Sequence, residues 1–300
     1  MITTRTVFVL GAGASQPFGL PLGNELYRSV VTDFSGSSRS VLRGQLLSAV
    51  STPPREVEDF VNALRFSGLI SVDAFLEKRP EFLKIGKAAM AVQLLHREQH
   101  DKLWKQENNW MTYLYGRMMT NTLEEFSKNN VSFITYNYDR SLEEFLCTSL
   151  SNAFGKDISA CAAVLTKMNI IHLHGRLGYL PWQDDKEAIP YGAPIDRRVV
   201  DICVREIKIV HEDITDRDKD FKLANQLLGH GSSVYVLGFG YGPKNLERLH
   251  LKNVSPNLAQ GSAQGIEDHE MMAIGAQCGN RIQLFQVDCL TLLRQRADLV

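Results

Sequence analysis

Val7-Phe8-Val9-Leu10-Gly11-Ala12-Gly13-Ala14-Ser15 is the stretch on which the reading of this chain turns. Four consecutive apolar residues, two of them valine, suit a strand buried on both faces, as in a parallel sheet covered by helices. The strand runs directly into Gly11 and Gly13, where the chain must turn sharply to enter a helix. Glycine permits that turn and allows the backbone to approach a diphosphate, whose charge helix-start amides favour. The same residues would also serve an ordinary tight βα turn. Gln16 stands where the G-x-G-x-x-G fingerprint requires its third glycine, so the dinucleotide fingerprint is not complete.

Further apolar runs repeat the pattern at Val131–Thr135, Ile170–Leu173, Val234–Leu237 and Ile282–Val287, each ending on Gly, Asn, His or Asp. Strands of this kind alternating with helices predict a doubly wound, Rossmann-like α/β fold with a parallel sheet. Between Asn24 and Asn130 the periodicity is helical instead. Val57, Phe60, Val61 and Leu64 share one face, and further helical stretches run from about Phe82 to Leu103 and from Tyr113 to Phe126. A hundred residues is too long for a plain crossover. The chain is therefore expected to be one domain over residues 1–300, with a core of about 1–23 and 130–300 and a helical insertion of about 24–129. Ser35–Ser40 and Ser51–Pro54 break the insertion, and Gly178–Pro194 reads as an irregular loop.

Composition narrows the function classes. At 300 residues and 44% hydrophobic content the chain can bury a large core. A net charge of −1 and a pI near 6.7 give no global pull toward nucleic acid or an anionic membrane. No apolar run reaches the roughly 18–20 residues of a membrane span, and the N-terminal run is too short for a signal peptide. Cys147, Cys161, Cys203, Cys278 and Cys289 form no C-x-x-C pair, so neither zinc nor a disulfide framework is expected. A cytoplasmic setting is the expectation.

The strand ends carry the candidate chemistry. Thr135-Tyr136-Asn137-Tyr138-Asp139 puts Thr, Asn and Asp where open α/β sheets bind ligands, although Asn137 or Asp139 could cap the next helix. In Asn169-Ile170-Ile171-His172-Leu173-His174-Gly175, alternation places His172 and His174 on one side of the strand. His174 is expected at the sheet edge and His172 one pleat deeper, as a hydrogen-bonded core histidine. Gly238-Phe239-Gly240, with Asn245 at a following helix start near Leu246, suits a ribose or phosphate contact or a plain loop. Asp288 ends the last strand, to touch a nucleotide base or to cap the last helix.

Taken in order, G-A-G-A-S (Gly11–Ser15), T-Y-N-Y-D (Thr135–Asp139), L-H-G (Leu173–Gly175) and L-G-F-G (Leu237–Gly240) resemble the sirtuin family, and Gly19-Leu20-Pro21 is similar to its G-I-P element. The resemblance implies a catalytic pair, Asn137 and His174. It implies NAD as substrate, with contacts among Gly11, Ala12, Gly13, Ser15, Pro21, Thr135, Asp139, Gly238, Phe239, Asn245 and Asp288. Two departures matter. The paired C-x-x-C zinc ribbon of the protein deacylases is missing, and Leu22-Gly23-Asn24 stands where D-F-R usually follows. The insertion, and Ser71-Val72-Asp73-Ala74-Phe75-Leu76 within it, look like the bacterial sirtuin-like NAD hydrolases of antiphage defence; Ser71 or Asp73 could equally be a helix cap. That resemblance implies cleavage of NAD to nicotinamide and ADP-ribose. Asn137 would orient water and ribose through an amide that both donates and accepts, and His174 would act as base or ribose-hydroxyl partner. It also implies self-assembly, a separate partner such as a HerA-type ATPase or another defence sensor, or both, because the chain stops just after the last strand and helix and no attached sensor is expected. The competing readings are a catalytically silent NAD- or ADP-ribose-binding module that regulates a partner ATPase or nuclease, a protein deacylase, and a Rossmann dehydrogenase.

Overall fold

The computed structural model of the chain describes residues 1–105, 109–184, 186–209, 219–254 and 259–300. Six strands form one parallel sheet: β1 (Thr6–Leu10), β2 (Val131–Thr135), β3 (Asn169–His172), β4 (Ser233–Leu237), β5 (Ala259–Ser262) and β6 (Ile282–Phe285). Their order across the sheet is β3-β2-β1-β4-β5-β6. This is the doubly wound, Rossmann-like arrangement, with the winding direction reversing between β1 and β4. Side chains alternate between two apolar layers. Phe8 and Leu10 join one, Val7 and Val9 the other, and β1 is buried along its whole length. On the first layer Phe133, Phe8 and Tyr235 lie in register and stack across three strands, with ring centroids 5.4 and 5.6 Å apart.

Register fixes where the strands stop. Leu10 pairs with both Thr135 and Leu237, and Thr135 pairs with His172. Four strands thus end level, and the residues that follow them emerge along one edge. β5 escapes the sequence reading because Ala259-Gln260-Gly261-Ser262 contains no β-branched residue. Its extended form comes from its place between β4 and β6. Gly261 is required there, since a Cβ would overlap the Tyr241 hydroxyl.

Among the described residues, eight α-helices follow the short helix Ala12–Ser15 and precede β2, from Gly23–Asp33 to Leu123–Phe126, with breaks at 34–40 and 51–53. At their centre is Leu83–Leu95, in which every residue from Ile85 onward is buried. A helix covered on all sides belongs inside a bundle. Gly23–Asp33, Val41–Val50, Pro54–Arg65, Val72–Lys78 and, from beyond β3, Arg197–Glu206 pack around it. The expected face of Val57, Phe60, Val61 and Leu64 is buried. Two expected long helices are each divided. The stretch near Phe82–Leu103 breaks into Leu83–Leu95 and His100–Trp104, because Gln99 is extended. The stretch at Tyr113–Phe126 breaks into Trp110–Met118 and Leu123–Phe126, because the Thr122 hydroxyl accepts the Glu125 amide and starts a new helix. The described part of Gly178–Pro194 contains no helix or strand. No helix among the described residues is long and apolar enough to cross a membrane.

A buried ion pair joins the inserted helical region to the turn that follows β2. Arg140 and Glu98 are both fully buried, with Arg140 Nε donating to Glu98 Oε1 at 3.1 Å. Arg140 also donates to the carbonyls of Ile189 and Pro190. Removing one member strands the other charge in the core, at a cost of about 3–5 kcal/mol, while removing both leaves only a packing defect. Glu98→Met and Arg140→Met should each lower stability by that amount in denaturant titration, and the double variant by clearly less than the sum.

Candidate functional site

At the level edge, the turn after β1 and the turn after β4 interlock. Gly11 N–H donates to Leu237 O at 3.0 Å, and Gly13 N–H donates to Gly238 O at 2.8 Å. A Cβ on Gly11 would come within 2.5 Å of Phe239 Cα, and one on Gly13 within 2.9 Å of Gly238 Cα. Gly238 has φ +57°, and a Cβ there would overlap the Ala14 amide. Backbone-to-backbone packing is therefore a sufficient reason for all three glycines. The Gly11 and Gly13 amides are engaged within the protein, whereas Ala12, the first helical residue, has no intrahelical acceptor for its own.

Two cavities open on this interlock and share Ala12, Gly23, Phe239 and Gly240 in their walls, so they form one crevice across the point where the winding reverses. The lobe toward β2 and β3 has a volume of about 640 Å³ and is lined by Gly11, Ser15, Pro21, Asp73, Tyr136, Asn137, Tyr138, Asp139, His174 and Asn245, among others. The lobe toward β5 and β6, about 560 Å³, is lined by Gly13, Trp110, Gly238, Ser262 and Asp288, among others. Every residue the sequence analysis assigned to catalysis or to NAD contact therefore borders at least one lobe, except Thr135. Thr135 is buried, and its hydroxyl accepts the Asn137 amide at 3.0 Å, shaping the turn from below.

Asn137 is held at both ends of its amide. Nδ2 donates to Gly11 O and to Ser15 Oγ, each at 2.9 Å. Gly11 O can only accept, so the amide nitrogen must be the atom that faces it. The expectation that Asn137 both donates and accepts toward a ligand changes accordingly. Its two hydrogens are spent inside the protein, and Oδ1 remains as the acceptor. Its backbone carbonyl is bound from behind, 2.9 Å from His172 Nδ1, while His172 Nε2 lies 2.7 Å from Glu143 Oε1. Burial, the largest single influence, pushes the Glu143 carboxyl up. The charge on His172, its hydrogen bond and Arg176 at 3.9 Å together outweigh it and hold Glu143 at about 2. His172 is thus the hydrogen-bonded core histidine expected.

His174 differs in every respect. β3 ends at His172, and Leu173-His174 form a turn, so the alternation that would place the two rings on one side stops there. The His174 ring meets the edge of Tyr136, centroids 5.0 Å apart, and lies 6.4 Å from the Tyr138 ring. It is only 5% exposed, and its Nε2 is buried without a hydrogen-bond partner. Burial, assisted by the charge of Arg248, depresses its pKa to about 4, so the imidazole is neutral at physiological pH. An orphaned ring nitrogen costs free energy unless something completes it.

The sequence reading overlooked several neighbours. Tyr136 donates its hydroxyl to Asn245 O at 3.1 Å, tying the turn after β2 to the helix Pro243–Leu249. Trp110 Nε1 donates to Ala14 O at 2.7 Å, fastening the inserted helices to the glycine turn. Ser262 Oγ accepts the Gly238 amide at 2.8 Å. None had a signal, because each acts through a contact distant in sequence. Asp288 caps the helix Cys289–Arg296 through Thr291 N–H at 2.8 Å while bordering the second lobe. Asp139 accepts the Ser141 amide at 3.1 Å just before the helix Ser141–Phe154, whose N-cap is Arg140. Among the described residues, no group of three or more His, Cys, Asp or Glu side chains is placed to hold a metal ion. Compared with known proteins, the chain matches no family model and no curated relative.

The depressed His174 pKa has a definite sign. Between about 6.5 and about 4 the unfolded chain binds a proton that the folded chain refuses, so stability is full above 6.5 and falls as pH drops through that window. At about 1.4 kcal/mol per unit the loss is on the order of 3 kcal/mol. Thermal unfolding of the wild type and His174→Gln between pH 7.5 and 4 should show this slope in the former and lack that share of it in the latter.

Proposed function

We propose that this chain is an NAD glycohydrolase, cleaving NAD to nicotinamide and ADP-ribose, with Asn137 and His174 as the catalytic pair. The observation that carries the reading is the unpartnered, buried Nε2 of a neutral His174 in the same cavity wall as Asn137. A neutral imidazole with its hydrogen on Nδ1 is an acceptor at Nε2, and Asn137 offers Oδ1. Two acceptors on residues of one cavity wall suit the hydroxyls of a ribose and the hydrogens of a water. The crevice has two lobes joined at the winding reversal, which suits a dinucleotide with its diphosphate crossing near Ala12 and its two ends apart.

In the reaction the bond from ribose C1′ to the pyridinium nitrogen breaks and its electron pair neutralises the nicotinamide ring. Water adds to the oxocarbenium-like ribosyl centre and gives up one proton. Asn137 Oδ1 would hold the water or a ribose hydroxyl, and His174 Nε2 would accept a hydrogen bond from the other. Acceptors aimed at a centre that becomes positive stabilise it. A depressed His174 pKa implies that kcat/KM keeps its value below pH 6.5 and falls only toward pH 4.

The order of sequence motifs supports the wider reading. The enzyme would be a triggered, NAD-depleting effector of antiphage defence in the cytoplasm. It would work as an oligomer or beside a separate partner such as a HerA-type ATPase.

NAD loss without any acyl-lysine peptide, measured on the chain and on the chain with the neighbouring gene's product, tests the activity. Asn137→Ala and His174→Ala should each reduce turnover by at least ~100-fold with circular dichroism unchanged. Near-normal turnover in both would sink the assignment.

A further inference from the structure

Asp73 belongs to the inserted helix Val72–Lys78, yet it borders the same lobe as Asn137 and His174. Helix capping does not account for it. The Ser71 hydroxyl caps that helix, accepting the Ala74 amide at 3.3 Å, which leaves the Asp73 carboxyl to other work. Asp73 Oδ1 instead accepts a hydrogen bond from the Tyr138 hydroxyl, and Tyr138 follows Asn137 and lies beside the His174 ring. A bond of that kind fixes the direction of the carboxylate and favours its ionised form. Burial acts the other way and is the larger influence, raising the carboxyl from its ordinary value. A cation arriving in the lobe would remove that penalty.

The rest of the wall is acidic on balance, with one cation, Lys244, in its lining. Asp73, Glu77 and Asp139 border the lobe, no arginine among the described residues does, and the Lys244 ammonium lies 2.7 Å from Glu77. Such a balance favours a positive charge in the part of the lobe beside Asp73. The orphaned Nε2 of His174 in the same wall is the independent sign that a ligand completes this lobe.

We infer that Asp73 is the carboxylate that receives the cationic ring of an N-ribosyl pyridinium, so that the lobe takes the oxidised dinucleotide in preference to the reduced, uncharged one. The inference rests on the dinucleotide reading above and adds the charge of the ring as the property selected. It also gives the inserted helices a part in the site.

Isothermal titration with three probes tests it: carba-NAD, which keeps the pyridinium charge but cannot be hydrolysed, NADH, whose ring is neutral, and ADP-ribose, which has no ring. The wild type should bind carba-NAD more tightly than NADH. Asp73→Asn should lose roughly tenfold in affinity for carba-NAD while NADH and ADP-ribose are unchanged. Asp73→Glu, which keeps the charge, should retain the preference, and Tyr138→Phe should weaken it. Should Asp73→Asn fail to fold, the last two variants carry the test. Equal loss for all three probes, or an undiminished preference in Asp73→Asn, would overturn the inference while leaving the dinucleotide reading intact. Absence of binding by any of the three to the wild type would overturn both.

Discussion

The turn after β1 and the turn after β4 occupy the same few ångströms of space, and much of the crevice depends on how they share it. Gly13 donates to Gly238, Gly238 donates to Ser262, and no Cβ fits at Gly11, Gly13 or Gly238. This contact lies where the winding of the sheet reverses, so it also separates and joins the two lobes. Glycine here is usually credited to a ligand's approach. In this chain backbone packing already demands it, and whatever a diphosphate gains from the turn is added to that requirement.

Behind the crevice, residues 137–143 serve the fold and the candidate site together. Asn137 lines the cavity with its amide nitrogen held by Gly11 and Ser15 and its backbone carbonyl against His172. Arg140 and Glu143 turn inward into two buried ion pairs, with Glu98 and with His172. Such pairs add little net stability compared with apolar packing, and they are costly to break. Their effect here is positional. One pins the inserted helical region to the turn after β2, and the other fixes the backbone at Asn137. The two histidines of the H-L-H segment thus divide their work. His172 is satisfied at both nitrogens and structural, while His174 is orphaned and faces the cavity.

The parts legible in the sequence were those with local causes. β-branched and aromatic runs marked five of the six strands, and i, i+3, i+4 spacing marked the buried face of Pro54–Arg65. The glycine turns and strand-end polar residues pointed to one sheet edge, and nearly all of them border the crevice. β5 was hidden because its extended form depends on its neighbours and not on its own residues. Thr135 lies buried beneath the crevice, its hydroxyl accepting the Asn137 amide, a contact that no local pattern announces. The boundaries within the inserted helices escaped because they are set by Thr122 capping and by the extended Gln99, single-residue events within helical periodicity.

From sequence alone follow the parallel α/β class, the helical insertion and the strand ends at which chemistry could sit, because period, propensity and turn residues are local properties. The order of the strands, the merging of two turns into one crevice and the differing environments of His172 and His174 follow only from the tertiary structure. So does the arrival of Asp73 beside Tyr138. Each of these depends on contacts between residues far apart in the chain, where packing and burial, and not spacing, decide which polar atoms are satisfied and which are left to meet a ligand.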